Sequence, residues 1–232
     1  MKDLYKIGII VAILLLVLLG LSKLNSEPST PDMPDFSLPG SEAGDVDDSD
    51  ILQEQEEITM NDIQEGNTVV VMKTNKGDIK IELFTEEMPI TAGNFLKLAQ
   101  EDYYDGIKFH RVIDGFMIQG GDPNSKDDTK AAMWGTGGPG YAIEDEFVEG
   151  YSNVRGTLSM ANSGPNSGGS QFFINLVDNI NLDWNKPPEQ SKHPVFGRVV
   201  EGMDVIDAIG QVETGARDVP VEAVVIEDIT VE

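Results

Sequence analysis

In the stretch "DIKIELF", Ile79, Ile81 and Leu83 alternate with Asp78, Lys80 and Glu82. A period of two puts the apolar set on one face of an extended strand, and it does not fit a helix with its period of 3.6. The run follows "TVVVMKT" and the turn residues "NKG", so a β-hairpin is predicted. Further short strands are predicted near 109–113, 116–119, 157–161 and 171–176, and the C-terminal "VEAVVIEDITVE" alternates again. Only two stretches have helical spacing. "ITAGNFLKLAQ" (90–100) places Ile90, Phe95, Leu98 and Ala99 together, with Thr91 as its N-cap, and "GMDVIDAIG" (202–210) is the second. Many short strands, glycine-rich loops and two helices predict an all-β domain, closed or sandwiched.

The N-terminal part has a different character. Ile7 to Leu21 carry no charge over fifteen residues. As a helix this run is about 22 Å long, short of a hydrocarbon core of about 30 Å. A span from Leu4 to Leu24 makes up the difference if Lys6 and Lys23 turn outward. Lys2 and Lys6 precede the span and only Lys23 follows it, which places the N-terminus in the cytoplasm and the remainder outside. A cleaved signal peptide is the alternative, with Gly20 and Ser22 as a small-x-small site, and it would make the protein secreted. The length of the apolar run favours an uncleaved transmembrane helix over residues 1–24.

From Asn25 to Gly66 there are thirteen acidic residues and no basic one, among many Pro, Ser and Gly. Such a segment buries too little apolar surface to offset its ordering entropy, so residues 25–66 are expected to be an acidic disordered linker. Within it, 51–63 has the composition of a short helix. The folded domain is expected over 67–232.

The net charge of −25 argues against a nucleic-acid partner, because phosphate contacts need a basic face. It suits solubility, and a salt-rich habitat would also account for it. With no cysteine there is no disulfide, thiol nucleophile or thiolate zinc site. With two histidines, a His-based metal site needs carboxylates at suitable spacing, and none stands out. Neither a metal nor a cofactor is expected.

The remaining chemistry lies in four stretches. In "FHRVIDGFMIQGGD", strand alternation puts Arg111 with Phe109 and Ile113, and His110 with Val112 on the other face. An arginine among apolar neighbours needs a partner or a task. A paired barrel-surface arginine is one reading and a catalytic one the other. Phe116 and Met117 are either core or pocket wall. The pair Gly120–Gly121 indicates a bend or close backbone approach, and no phosphate loop follows. In "LSMANSGPNSGGSQFFI", Ala161 and Asn162 stand at one mouth of a polar loop, with Gln171, Phe172 and Phe173 at the other. Main-chain groups there could pair with an extended peptide, or the stretch is a long polar hairpin. "GGSQF" is no nucleophile elbow, so a hydrolase lacks support. His193 opens a strand in "HPVFGRVVEGMDVID", as a structural residue or one facing a pocket.

These stretches, together with "GTGGPGYAIEDEF", resemble the cyclophilins, the peptidyl-prolyl cis-trans isomerases, over about residues 68–231 and in the family's order. The resemblance implies an eight-stranded antiparallel β-barrel capped by two α-helices, with a substrate groove on its outside. It implies that Arg111 is catalytic. Phe116, Met117 and Phe173 would line a proline pocket, with Leu182 and His193 at its edge. Gln119, Ala161, Asn162 and Gln171 would hold the peptide backbone, and the glycines of 135–140 would border the neighbouring subsite. The implied partners are proline-containing polypeptides; the anchor places them among exported or surface proteins, and with no signal for assembly a monomer is expected. A non-catalytic proline-segment binder using the same groove is the alternative.

Two departures stand out. Asn181 sits where the family often has an aromatic, which weakens the case for cyclosporin sensitivity. Trp184 falls in an insertion before His193, to cover either the groove or the core. Asp114 stands where many members have proline, in a turn where it should matter little.

Overall fold

A computed structural model describes residues 63–187 and 192–232. The predicted membrane helix, most of the linker and the helix expected at 51–63 lie outside the described residues. Among the described residues no helix is long and apolar enough to cross a membrane.

The predicted hairpin forms. Strands β1 (Thr68–Thr74) and β2 (Gly77–Leu83) pair from Thr68↔Leu83 to Thr74↔Gly77. The Thr74 hydroxyl donates to the Gly77 carbonyl at 2.7 Å and closes the turn. Ile79, Ile81 and Leu83 are fully buried, as their alternation requires. The other strands are β3 (Arg111–Ile113), β4 (Met117–Gly120), β5 (Thr157–Met160), β6 (Phe172–Asn175), β7 (Val195–Glu201) and β8 (Ile226–Val231). All pairings are antiparallel, in the order β3-β4-β6-β5-β7-β2-β1-β8.

This eight-stranded sheet curls into a half-barrel, and backbone bonds tie its two ends together. Gly106 and Phe109 N–H groups donate to Ile226 and Val224 carbonyls at 2.8 and 2.9 Å, and Ile226 donates back to Ile107 at 2.8 Å. Joining the ends satisfies groups that an open edge would leave to water or to another chain.

Helices α1 (Thr91–Gln100) and α2 (Met203–Gly210) match the two helical stretches. α1 packs on β7 and β8, and α2 on β2, β3 and β4. Phe95, Leu98 and Ala99 are buried, whereas Ile90 is exposed at the helix start. The cap differs from expectation. The Thr91 hydroxyl has no partner, and the Ile90 and Thr91 N–H groups donate instead to the Glu146 carboxylate at 3.1 and 2.9 Å. A full negative charge suits the positive end of a helix better than a hydroxyl does. Between the sheet and α1 the core is aromatic. Phe95 stacks on Tyr104 at 4.8 Å and meets the edge of Phe172 at 5.4 Å, pairs each worth about 0.5–1.5 kcal/mol beyond their burial.

The strand holding Arg111 is shorter than predicted, and this changes which residues share its face. Before β3 the chain bridges Lys108 to Val225, and Phe109 turns into the core against Phe172. Phe109 therefore joins Val112 in the core, and Ile113 alone accompanies Arg111. The close approach expected at the glycine pair is present at Gly121. Its φ is +88°, and a Cβ there would lie 2.2 Å from the Ser170 carbonyl oxygen. Gly121→Ala should therefore cost at least about 1–2 kcal/mol from its backbone conformation alone, read as a lower urea midpoint at unchanged slope.

Candidate functional site

Strand register assembles the site. Arg111 on β3 pairs with Gln119 on β4, which pairs with Phe173 on β6, so one row crosses three strands. Ile113 and Met117 form the row two residues along, hence on the same face. Met117, Phe173 and Leu182 make a buried cluster, with Ile113, Phe116 and Ala161 packed against it. Val112, Ile118, Leu158, Phe172 and Ile174 fill the main core on the opposite face. The apolar pocket thus lies outside the sheet, beside the guanidinium.

His193 and Leu182 close one side of this pocket. The His193 ring meets the edge of Phe173 at 5.3 Å, its Nδ1 lies 3.0 Å from the Met160 carbonyl, and its N–H donates to the Leu182 carbonyl at 3.1 Å. On the other side, Gln119 Nε2 donates to Gln171 Oε1 at 3.1 Å, and Gln171 Nε2 donates to the Gly137 carbonyl at 2.8 Å. The Ala161 N–H donates to the Gln171 carbonyl at 3.0 Å, and Asn162 Nδ2 to that of Lys192 at 2.7 Å. Gln119, Ala161, Asn162, Gln171 and residues 135–141 line a cavity of about 700 Å³ next to the pocket. The ten sequence-predicted residues thus fall in the Arg111 row, the apolar cluster with His193 at its edge, and the lining of the adjacent cavity.

Arg111 itself is held loosely. Its side chain is 43% exposed, and Nε lies 3.5 Å from Asp218 Oδ2. An exposed pair at that distance contributes roughly 0–1 kcal/mol, which leaves the guanidinium able to turn toward a ligand.

A polar network behind the pocket went unseen in the sequence. The Asp183 carboxylate is 6% exposed and accepts from Ser152 Oγ at 2.6 Å, Asn153 N–H at 2.7 Å and Asn153 Nδ2 at 2.9 Å. Ser159 Oγ donates to Asn153 Oδ1 at 2.8 Å. Asn175 Nδ2 donates to Thr157 Oγ1 at 2.9 Å, and Asn179 Nδ2 to Asn175 Oδ1 at 2.8 Å and to the Phe116 carbonyl at 2.9 Å. Because these buried groups are satisfied, they stiffen the frame that carries Phe116, Phe173 and Leu182. One signal was available. Ser159 and Asn175 are polar residues on the pocket-facing side of the apolar strands "TLSM" and "FFIN".

The departures resolve simply. Trp184 stacks on Phe147 at 5.9 Å and joins neither the pocket cluster nor the core cluster. Asn181 is exposed beside the pocket leucine, and Asp114 lies in the exposed β3–β4 turn.

Burial pushes both histidines below their ordinary value of 6.5, and for His193 the Met160 carbonyl only partly offsets this. A folded-state pKa below the unfolded one favours the neutral ring. Its contribution is present above about pH 6.5 and is lost as pH falls toward the folded value, where the unfolded chain binds more protons. Urea midpoints should accordingly drop between about pH 7 and about pH 5, with a shallower slope in His110→Leu.

The comparisons agree with this geometry. Residues 69–231 match the family model described as cyclophilin type peptidyl-prolyl cis-trans isomerase/CLD. A Staphylococcus aureus (strain USA300) protein bearing the name peptidyl-prolyl cis-trans isomerase is 42% identical, covering 74% of this chain and 95% of that one. A Streptococcus pyogenes serotype M6 protein, named as a bifunctional phosphatase/peptidyl-prolyl cis-trans isomerase, is 45% identical over 70% of this chain and 38% of its own length. The crystal structure of a Cryptosporidium parvum cyclophilin type isomerase, in the presence of the dipeptide Ala-Pro, superposes with a TM-score of 0.61 at 33% identity, over 71% of this chain and 98% of that one. With its fold, its outer pocket and a family match across nearly all the described residues, this chain belongs to the cyclophilin-type peptidyl-prolyl cis-trans isomerases.

Proposed function

We propose that this isomerase turns X–Pro bonds with Arg111 as its catalytic residue, on proline-containing segments of polypeptides outside the cytoplasm. The observation that carries the assignment is the row Arg111–Gln119–Phe173, which sets a guanidinium beside an apolar pocket on the outer face of the sheet. Peptide-bond rotation meets a barrier of about 18–20 kcal/mol because twisting breaks amide resonance. Uncatalysed, an X–Pro bond takes tens to hundreds of seconds. Groups that bind the twisted amide better than the planar one speed the reaction, without nucleophile, metal or cofactor. Twisting localises a lone pair on the proline nitrogen, and a guanidinium aimed there stabilises it, more so with water excluded. Met117, Phe173, Phe116 and Leu182 would grip the ring, with His193 at the rim. Gln119, Gln171, Ala161 and Asn162 would hold the backbone on one side while the other rotates.

The site of action is a proposal from sequence. Residues 1–24 would anchor the chain with its C-terminal part on the extracytoplasmic side, and the acidic residues 25–66 would give the domain over 67–232 its reach. The test is exchange NMR of a proline tetrapeptide with the full chain in detergent micelles. Cis-to-trans exchange far faster than the uncatalysed rate supports the proposal. Peptide shifts that report binding without faster exchange would make the protein a proline-segment binder instead.

A further inference from the structure

We infer that Arg217 and Asp218 set a charge preference at the residue that follows proline, a specificity that rests on the isomerase reading above. A second cavity, of about 330 Å³, adjoins the site and is lined by His110, Arg111, Gln119, Trp134, Arg217 and Asp218, among others. It meets the larger cavity at Gln119 and Gly135, which line both. An X–Pro segment has a neighbour on each side. If the residues before the bond lie over Ala161, Asn162 and Gln171, the chain after proline leaves past Arg111 into the smaller cavity.

The charges of this cavity are built in by the loop that carries them. Arg217 has φ 63° and ψ 27°, and Asp218 has φ 60°, two consecutive left-handed non-glycine residues. Such conformations persist only where the surroundings impose them. Here Gly215 N–H donates to the Val219 carbonyl and Val221 N–H to that of Glu213, each at 2.8 Å. The Arg217 guanidinium donates to the Ala132 carbonyl at 3.3 Å and also to that of Ala131. The loop thus holds two opposite charges on one wall.

Asp218 faces Arg111, whereas Arg217 makes no ion pair among the described residues. On the floor, His110 is 4% exposed. Two guanidiniums and one carboxylate leave the cavity net positive on a chain of net charge −25. A carboxylate side chain after proline would meet Arg217, and an ammonium would meet a wall with one cation unpaired.

The test uses the full chain in detergent micelles and exchange NMR of two peptide sets. One is Ala-Ala-Pro-X-Ala with X as Glu, Gln or Lys, and the other is Ala-X-Pro-Ala-Ala. In the first set kcat/KM is expected to favour Glu over Lys by roughly fivefold, the size of one partly exposed charge contact. Arg217→Asn should abolish that ratio, and Asp218→Asn should widen it. Both variants place asparagine, which tolerates the left-handed backbone, so folding is preserved. Equal rates for Glu, Gln and Lys in the wild type would overturn the inference. So would a ratio that neither variant moves, or one that follows the variants in the second set. Absence of turnover for every peptide would instead overturn the isomerase reading, and this inference with it.

Discussion

Arg111→Ala is expected to lower kcat/KM for a proline tetrapeptide by about 10²–10³-fold, the usual loss when one preorganised donor to developing charge is removed. The fold should survive, because the side chain is 43% exposed and its ion pair with Asp218 is long. Ile113, Met117 and Phe173 keep their own packing without it. Peptide binding should weaken much less than turnover, since the apolar pocket and the Gln119–Gln171 pair remain. Arg111→Lys should recover little, because an ammonium on a flexible stem lacks the planar fork. Wild-type turnover in the lysine variant would remove Arg111 from the catalytic role and leave an isomerase that works by binding and desolvation alone.

Glu82→Ala should destabilise the domain by about 1–3 kcal/mol, the cost of leaving buried donors without their acceptor. Glu82 is fully buried. Its carboxylate accepts from Arg198 Nε at 2.6 Å, Asn67 Nδ2 at 2.8 Å and Gln64 N–H at 2.8 Å. Removing it takes the acceptor from the Gln64 and Asn67 donors and one ion-pair partner from Arg198. For a domain of this size each kcal/mol moves the melting temperature by about 2–4 °C, so a fall of roughly 2–12 °C is expected in a thermal melt. Glu82→Gln keeps the shape and one carbonyl oxygen and should lose less. A drop under about 1 kcal/mol in Glu82→Ala would mean that water satisfies the same donors. The contact also bears on fragment design. A fragment starting at Asn67 loses the Gln64 N–H, so a later start should lower stability while leaving the Arg111 row untouched.

Glu82 also marks where the sequence reading reached its limit. In "DIKIELF" it sits on the polar side of a clean alternation, and polar positions of that kind usually face water. Here the N-terminal segment folds over that side and supplies donors, so both faces of β2 near its end are covered. The Thr91 cap failed for a related reason. A hydroxyl at the right position was outcompeted by Glu146, a carboxylate that only the folded chain brings to the helix start. Phe109 left the face of Arg111 because closing the sheet ends turned the backbone between Lys108 and Arg111.

By itself, the sequence determined the strand hairpin, the two helices and the close approach at Gly121, and its motifs named Phe116, Met117 and Phe173, which the fold brings into one apolar cluster. Each is carried by a local period, a turn residue or a contiguous motif, and the antiparallel pairing of neighbouring strands brings such motifs together. The tertiary structure alone decided that the pocket rests on Asp183 and Asn153, that Asp218 faces the Arg111 guanidinium, and that Glu82 clasps Gln64 and Asn67. These contacts join polar groups far apart in the chain. Their strength comes from burial and from partners supplied by other segments, and neither leaves a periodic mark on the residues involved.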